Sequence, residues 1–402
     1  MLLYKINRFK KPFQKSKEKK CRIVNLLLLF CVLCFHLLSG CDQKQQKPVS
    51  KSDYLLNTVV SISIYDIAGN QKDTETILDD CMTKCKEYEN LFSRTITESD
   101  ISRINDAAPE YVTVSDDTIL LLQQALSYCQ LTNGLLDITI APVKDLWNFA
   151  TPEKGHIPDG ESIAIQLAHV NYKNVEIDQN KVRLKDAHAA LDVGFIAKGY
   201  IADRLKEYMI AEGVTSGIIN LGGNVLTIGN KDGQDFKVGI QKPFADTGTA
   251  LVSVASNDSS VVTSGIYERF FSLDKKIYHH ILNPSTGYPV ENELLSVTIL
   301  SKDSTTGDAL STSCLLLGLE KGKELIESLD GVEAVFITKD YNVIETTNGN
   351  SSTHIRKAAP VVLGTAFINA MAELLPHILP ESIMLAKMLY NPALLHINLP
   401  CW

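Results

Sequence analysis

Near the start of the chain runs an almost unbroken apolar stretch of about fifteen residues, "VNLLLLFCVLCFHLL", Val24 to Leu38. It constrains the rest of the chain more than any other feature. A helix needs about twenty apolar residues to span a bilayer, so this run is short for a span and right for the core of a signal peptide. Nine Lys and Arg residues precede it, opposed only by Glu18. Residues 1–40 therefore read as a leader that is removed, and the part that folds lies on the far side of a membrane.

The run closes with "LSGC", Leu38 to Cys41. An aliphatic residue, two small residues and a cysteine form a lipobox-type site, at which Cys41 would carry a lipid and become the mature N-terminus. Two acyl chains make a stable anchor. The polar "QKQQKPVSKSD" that follows reads as a tether, residues 41–53, and puts the protein on a bacterial membrane facing the periplasm or the cell exterior. A plain signal peptide with an incidental cysteine is the simpler alternative. Taking nine bases and one acid from totals of 39 and 47 leaves 30 bases and 46 acids, a formal net of −16. Such a chain lacks the basic surface that a nucleic-acid partner requires.

Periodicity predicts a strand over 54–66, an amphipathic helix over 73–93, and a helix from Asp116 to Leu131 stopped by Asn133-Gly134. A hairpin turning near Asp178–Asn180 follows, then a helix over 197–212 and a strand–glycine turn–strand in "GIINLGGNVLTIG". Several strands fill 236–300, helices are expected at 308–317 and 321–329, and a last strand pair at "GVEAVFITKDYNVIET". Elements that neither alternate strictly nor segregate indicate a mixed α+β fold, mainly antiparallel, with packed helices. Cys81 and Cys85 lie on the helical stripe with Ile77, Tyr88 and Phe92, and read as core rather than metal ligands. Residues 350–402 contain Pro376, Pro380 and Pro392, which interrupt their helical stretches. They are either a docking tail or sequence foreign to the domain, which spans 54–349.

Four stretches carry chemistry. In "LDVGFIAKGYIADRL" an acid and a glycine precede a helix that opens on Lys198-Gly199, an arrangement that can draw an anion. A strand-to-helix turn with solvated Lys198 and Asp203 would leave the same pattern. "INLGGN" offers a ligand-bearing turn or simply a tight one. In "YHHILNPSTGYPV", His279 and His280 face opposite ways on a strand, so one can reach a pocket and the other solvent. In "GDALSTSC", Asp308 is placed as an N-cap accepting from Ser311. A cap does not call for Thr312, which shares its helical face. A carboxylate and a hydroxyl together are hard oxygen donors suited to Mg²⁺.

Taken in order, "NGLLDITIAPVKDLWNF", "LDVGFIAKGYIAD", "INLGGN", "TSGIYERFF", "YHHILNPSTGYP", "SVTIL" and "GDALSTSCLLLG" resemble the ApbE family, the bacterial FAD:protein FMN transferases, from about Tyr54 to Thr347. The resemblance implies an ApbE-like flavin transferase fold and a Mg²⁺-dependent transfer of FMN from FAD to a Thr or Ser hydroxyl of a partner protein, with release of AMP. It implies metal ligation by Asp308, Thr312 and the Phe195 carbonyl, with Ser311 near enough to assist. It places Asp192, Lys198, Leu135, Leu136, Asp137, His280 and Leu282 at the FAD site. The family's early M-G-T element is here Leu56-Asn57-Thr58, which weakens the case for Leu56 at the flavin. Asn283 stands where the family more often has aspartate before proline.

His280 is the candidate base and Asp192 its rival. The partner implied is a flavin-carrying subunit of a membrane or extracytoplasmic redox complex. The nearest match to an acceptor motif, "DSTTGDA", departs from it, so self-modification is not expected. Two other readings remain: an FAD pyrophosphate hydrolase giving FMN and AMP, and a periplasmic FAD-binding lipoprotein without turnover.

Overall fold

A computed structural model describes residues 47–69, 72–149, 155–346 and 356–357. The leader, Cys41 and nearly all of the 350–402 tail lie outside the described residues. The fold is mixed α+β, as expected. Its frame is an eight-stranded sheet of β1 (Val49–Leu55), β2 (Thr58–Ile67), β3 (Val214–Leu221), β4 (Asn224–Ile228), β5 (Ser260–Gly265), β6 (Leu294–Ser301), β7 (Glu333–Thr338) and β8 (Val343–Glu345). These strands lie side by side in chain order, and every neighbouring pair is antiparallel. The other described elements are inserted between neighbours, except a short strand at Arg356–Lys357 that follows β8.

The expected strand over 54–66 is in fact a hairpin. Leu56 and Asn57 both take left-handed backbone, each at φ 56°, and close a two-residue turn with Leu55 opposite Thr58. Such turns match the twist of an antiparallel pair, and Asn tolerates them well. Residues 49–53, expected as tether, are thus an edge strand. Along β2, Val60, Ile62 and Ile64 point into the core, while on the other face Ser61 and Ser63 bond to Ser52 and Ser50. Beside this hairpin Gly222 (φ 63°) and Gly223 (φ 92°) close the β3–β4 turn. A Cβ on Gly222 would lie 2.1 Å from Thr58 Oγ1, so the glycine is needed for close approach as well as for its backbone angle.

The insertion between β2 and β3 carries α1 (Thr74–Phe92), α2 (Asp100–Ala107), α3 (Asp116–Leu131), α4 (Ala141–Trp147), α5 (Gly160–Leu167) and α6 (Ala197–Ala211). Between β6 and β7 come α7 (Ser304–Leu317) and α8 (Leu319–Glu327). Five of the described helices, α1, α2, α3, α5 and α7, start alike: Asp73, Ser99, Ser115, Asp159 and Asp303 each accept the N–H three residues on. The sequence reading omits α2 and α5 despite their Ser99 and Asp159 caps.

The expected hairpin appears as strands Val175–Asp178 and Lys181–Leu184. A further hairpin, Phe236–Gln241 with Ala250–Ser256, gains a short third strand at Arg356–Lys357, inside the stretch expected to be tail. One core cluster joins β2, β3, α1 and α6, with Cys81 and Cys85 buried as packing. A second joins β5, β6, β7 and α7. Phe195 packs against both.

Candidate active site

The helix containing Asp308 begins four residues earlier than expected. Its N-cap is Asp303, which accepts from Thr306 N at 2.8 Å. Asp308 therefore lies a full turn inside α7 and does not cap its own helix. Its Oδ2 instead accepts the Gly199 N–H at 2.9 Å, in the first turn of α6. The residue before α6 is Ile196, which has no side-chain cap to give. The cap role assigned to Asp308 is real but belongs to the neighbouring helix. Lys198 Nζ stands 3.8 Å from Oδ1. Asp308 is 3% exposed, and burial raises its pKa although Lys198 and the Gly199 N–H pull against it.

Thr312 follows one turn later. Its Oγ1 lies 2.9 Å from Ser264 Oγ, at the end of β5, and Ser264 also meets Ser311 Oγ at 2.7 Å. Ser311 donates back to the Asp308 carbonyl. Because the Gly199 N–H goes to Asp308, it does not go to the Phe195 carbonyl four residues back. The donors that gather here are a carboxylate and hydroxyls, all oxygen, next to the N-terminus of α6. Among the described residues no cluster of three His, Cys, Asp or Glu suits a metal, so an ion held here would keep waters or phosphate oxygens in its shell. Asn224, 1% exposed, accepts from Ser304 Oγ at 2.5 Å. Its Nδ2 has no partner at hydrogen-bond distance, yet it lies near enough to Asp308 to favour the carboxylate.

His280 lies just beyond the strand Lys276–His279. Its Nδ1 is 3.3 Å from the Arg269 carbonyl. A carbonyl only accepts, so Nδ1 carries the hydrogen and Nε2 keeps its lone pair. Burial, and then the charges of Lys144 and Arg269, hold the imidazole well below the ordinary 6.5. The other histidine does not reach solvent as expected. His279 is 4% exposed on the opposite face, with Nε2 3.1 Å from the Val290 carbonyl.

Asp192 is less suited to act as a base. Burial opposes its ionisation, but Lys144 at 2.7 Å, Arg94 and the Gly194 N–H outweigh that and hold its carboxyl far below the usual carboxylate range. Its role is to hold the Lys144 ammonium, which also acts on His280.

Sequence reasoning misses three members of the site: Lys144, Ser264 and Glu268. Glu268 is solvent-accessible, yet its pKa is pushed up to about 6. Desolvation comes first, with Asp308 adding to it and Lys198 and Arg269 opposing. Through Glu268 and Arg269 the Asp308 cluster is coupled to the His280 cluster. No local pattern marks these residues, because their environment comes from segments far apart in the chain.

The other expected site residues have partners of their own within the fold. Asp137 uses both oxygens on Thr139 N, Thr139 Oγ1 and Tyr172 N, which organises the turn before α4. It also borders a cavity of about 260 Å³ with Gly134, Pro284 and Ser285. Leu136 is core, Leu135 packs on the same cluster, and Leu282 sits in an aromatic cluster with Trp147, Phe149 and Phe271. Leu56 is part-buried in its turn, its N–H held by Glu89. Asn283 starts the "NPSTG" turn as expected, with its Oδ1 accepting from Ser285 N. A cavity of about 460 Å³ lies beside Arg94, Asp145 and Asn105, and neither Asp308 nor His280 lines it.

Comparison with known proteins adds the family. Residues 56–336 match the profile described as the ApbE family. A Klebsiella pneumoniae protein named FAD:protein FMN transferase is 40% identical over 263 residues, covering 64% of this chain and 81% of that protein. Among solved structures, the ApbE protein of Thermotoga maritima superimposes with a TM-score of 0.69 at 31% identity, over 75% of this chain and 97% of that one. Flavin transferase ApbE of Vibrio cholerae gives 0.66 at 27%, over 74% and 96%. Motif order, fold and relatives agree: this chain belongs to the ApbE family.

Proposed function

We propose that the chain is an FAD:protein FMN transferase, the activity printed in the names of its curated relatives. One observation carries the reading. A neutral imidazole with a fixed tautomer, at His280, is coupled through Arg269 and Glu268 to a site that suits a pyrophosphate, where Lys198 and the Asp308 oxygen it faces meet a helix N-terminus. Hydrolysis to FMN and AMP would use the same groups with water in place of the hydroxyl.

The Lys198 ammonium and the positive end of the α6 dipole offset phosphate charge. Asp308, Thr312 and the Phe195 carbonyl would hold Mg²⁺, with Ser311 supporting Thr312 through Ser264. When bound, that ion would neutralise the charge that grows on the transferred phosphoryl group. His280 Nε2 receives the proton of the acceptor Thr or Ser hydroxyl as its oxygen bonds to the FMN phosphorus. The P–O bond to AMP breaks, and AMP leaves with the bonding electron pair. Lys144, held by Asp192, keeps the imidazole neutral and ready to accept. The acceptor is a flavin-carrying subunit of a membrane or extracytoplasmic redox complex. Lipidation at Cys41 would tether the enzyme beside it, facing the periplasm or the cell exterior.

The test mixes the full chain with FAD, Mg²⁺ and an acceptor domain bearing a Ser/Thr motif, then measures AMP and covalently bound flavin. Equal AMP and fluorescent acceptor are expected, with both lost in EDTA. AMP without labelled acceptor would indicate a hydrolase. Neither product, with FAD bound, would indicate a binding protein. Activity that persists in EDTA would remove the metal from the scheme. A Cys41→Ser chain that stays in the membrane fraction would remove the anchor.

A further inference from the structure

The first turns of α6 and α7 are held to each other by an exchange of carboxylates. Asp308, four residues into α7 from Ser304, accepts the Gly199 N–H of α6. Asp203, four residues into α6 from Gly199, accepts Ser304 N at 2.7 Å, Thr305 N at 2.8 Å and Thr305 Oγ1 at 2.5 Å in α7. Asp308 thus sits about one turn, and Asp203 nearly two turns, inside its own helix, and each caps the start of the other. The alternative in which Asp203 is merely solvated does not hold.

Two features show that this exchange does more than end a helix. First, α7 already has a local cap in Asp303, which takes Thr306 N. Asp203 takes the two N–H groups that Asp303 leaves and joins residues 101 and 102 positions apart. Second, the backbones are in contact: a Cβ on Gly199 would lie 2.3 Å from the Ser304 carbonyl oxygen. Two helix N-termini, both carrying partial positive charge, are brought together, and carboxylates from each offset the repulsion. A slip of α7 along its axis would break the Asp203 bonds. The same slip would carry Asp308 away from Gly199 and Lys198, and Thr312 away from Ser264.

We propose that Asp203 is a positioning residue for the transfer reaction: by capping α7 across the helix pair, it sets the register that brings Asp308 and Thr312 to the first turn of α6. This rests on the transferase reading for its role in the reaction. Asp203 need not touch FAD or metal. Residues that orient ligating groups commonly affect metal affinity or activity by about 10- to 100-fold when removed.

Asp303 supplies the control, because it caps the same helix without reaching α6. The full chain, with Asp203→Ala, Asp203→Asn and Asp303→Ala, is titrated with Mg²⁺ in the presence of FAD and followed by flavin fluorescence. AMP release and thermal melting are measured on the same samples. Asp203→Ala is expected to raise the Mg²⁺ midpoint about tenfold or more and to lower kcat more than it raises KM for FAD. Asp203→Asn, which keeps one acceptor oxygen and covers the case in which the alanine variant does not fold, should fall between it and wild type. Asp303→Ala should lower the melting temperature but leave the midpoint unchanged.

Equal midpoints for the Asp203 and Asp303 variants would overturn the proposal, as would a wild-type flavin signal indifferent to Mg²⁺. A wild type that binds FAD in a Mg²⁺-dependent manner but transfers no FMN defeats the transferase reading instead. The midpoints then still decide whether Asp203 sets the register.

Discussion

At the level of single residues, the site separates two groups that the sequence leaves as rivals. Lys144 acts on both His280 and Asp192, of which Asp192 is buried and His280 half-buried. The same ammonium lowers the proton affinity of both, but it bonds directly to Asp192, whereas Nε2 of His280 keeps its lone pair. It stabilises the Asp192 carboxylate, which then binds protons poorly, and it disfavours the His280 imidazolium, which leaves Nε2 unprotonated at neutral pH. Removing the imidazole should therefore damage transfer without undoing substrate binding. His280→Ala is expected to lower the rate of acceptor flavinylation by about 100-fold or more, while FAD affinity, read from flavin fluorescence, changes only slightly. Near wild-type transfer by this variant would eliminate His280 as the base. The depressed pKa also places the acid limb of the wild-type rate profile well below pH 6.5, since activity requires the neutral ring.

At the level of elements, the α6–α7 contact depends on Gly199. No side chain fits there, because the position a Cβ would occupy is within 2.3 Å of the Ser304 oxygen and 2.8 Å of Thr305 Cα. Backbone cannot swing aside as a side chain can, so the helices must separate. Gly199→Ala should cost about 1–3 kcal/mol in a denaturant titration, despite alanine's better helix propensity. It should also reduce AMP release by displacing Asp308 from Lys198. A variant as stable as wild type would show that the helices are not in register-defining contact.

The same contact explains where sequence reading went wrong. In "DSTTGDALS" two aspartates each precede a plausible cap partner by three residues, Thr306 for Asp303 and Ser311 for Asp308, and Gly307 reads as a break. The choice between them is made by Asp203, about a hundred residues away. Amphipathic α1 and α3 and the hairpin around Gln179 were legible because local pattern alone specifies them. The β1–β2 turn was not, since leucine in left-handed backbone contradicts every turn preference.

Across the whole molecule, the frame is simple and the site is not. Eight strands follow one another in chain order, while Lys198, His280 and Asp308 arrive on three separate insertions. The ordered motifs were enough to find the family, but Glu268 and Lys144 become meaningful only once those insertions meet. The hairpin that delivers His280 to the site also buries His279 on its other face, and this has a consequence for stability. His279 Nδ1 is buried without a hydrogen-bond partner among the described residues, and desolvation lowers the pKa to about 4 from the ordinary 6.5. Above pH 6.5 the ring is neutral in both folded and unfolded chains and contributes no pH dependence. As pH falls below 6.5 the unfolded chain takes up a proton that the folded chain refuses, so stability declines until about pH 4, where the folded state binds it too. Over that window the loss is about 3 kcal/mol. Glu268, with its pKa raised to about 6, works in the opposite direction between pH 6 and 4.5, so the comparison must be made against a variant that removes only the imidazole. His279→Gln can still donate to the Val290 carbonyl but does not titrate. Its urea midpoint should fall less steeply than that of wild type between pH 6.5 and 4, and parallel slopes would show that His279 is protonated in the folded protein as readily as in the unfolded chain.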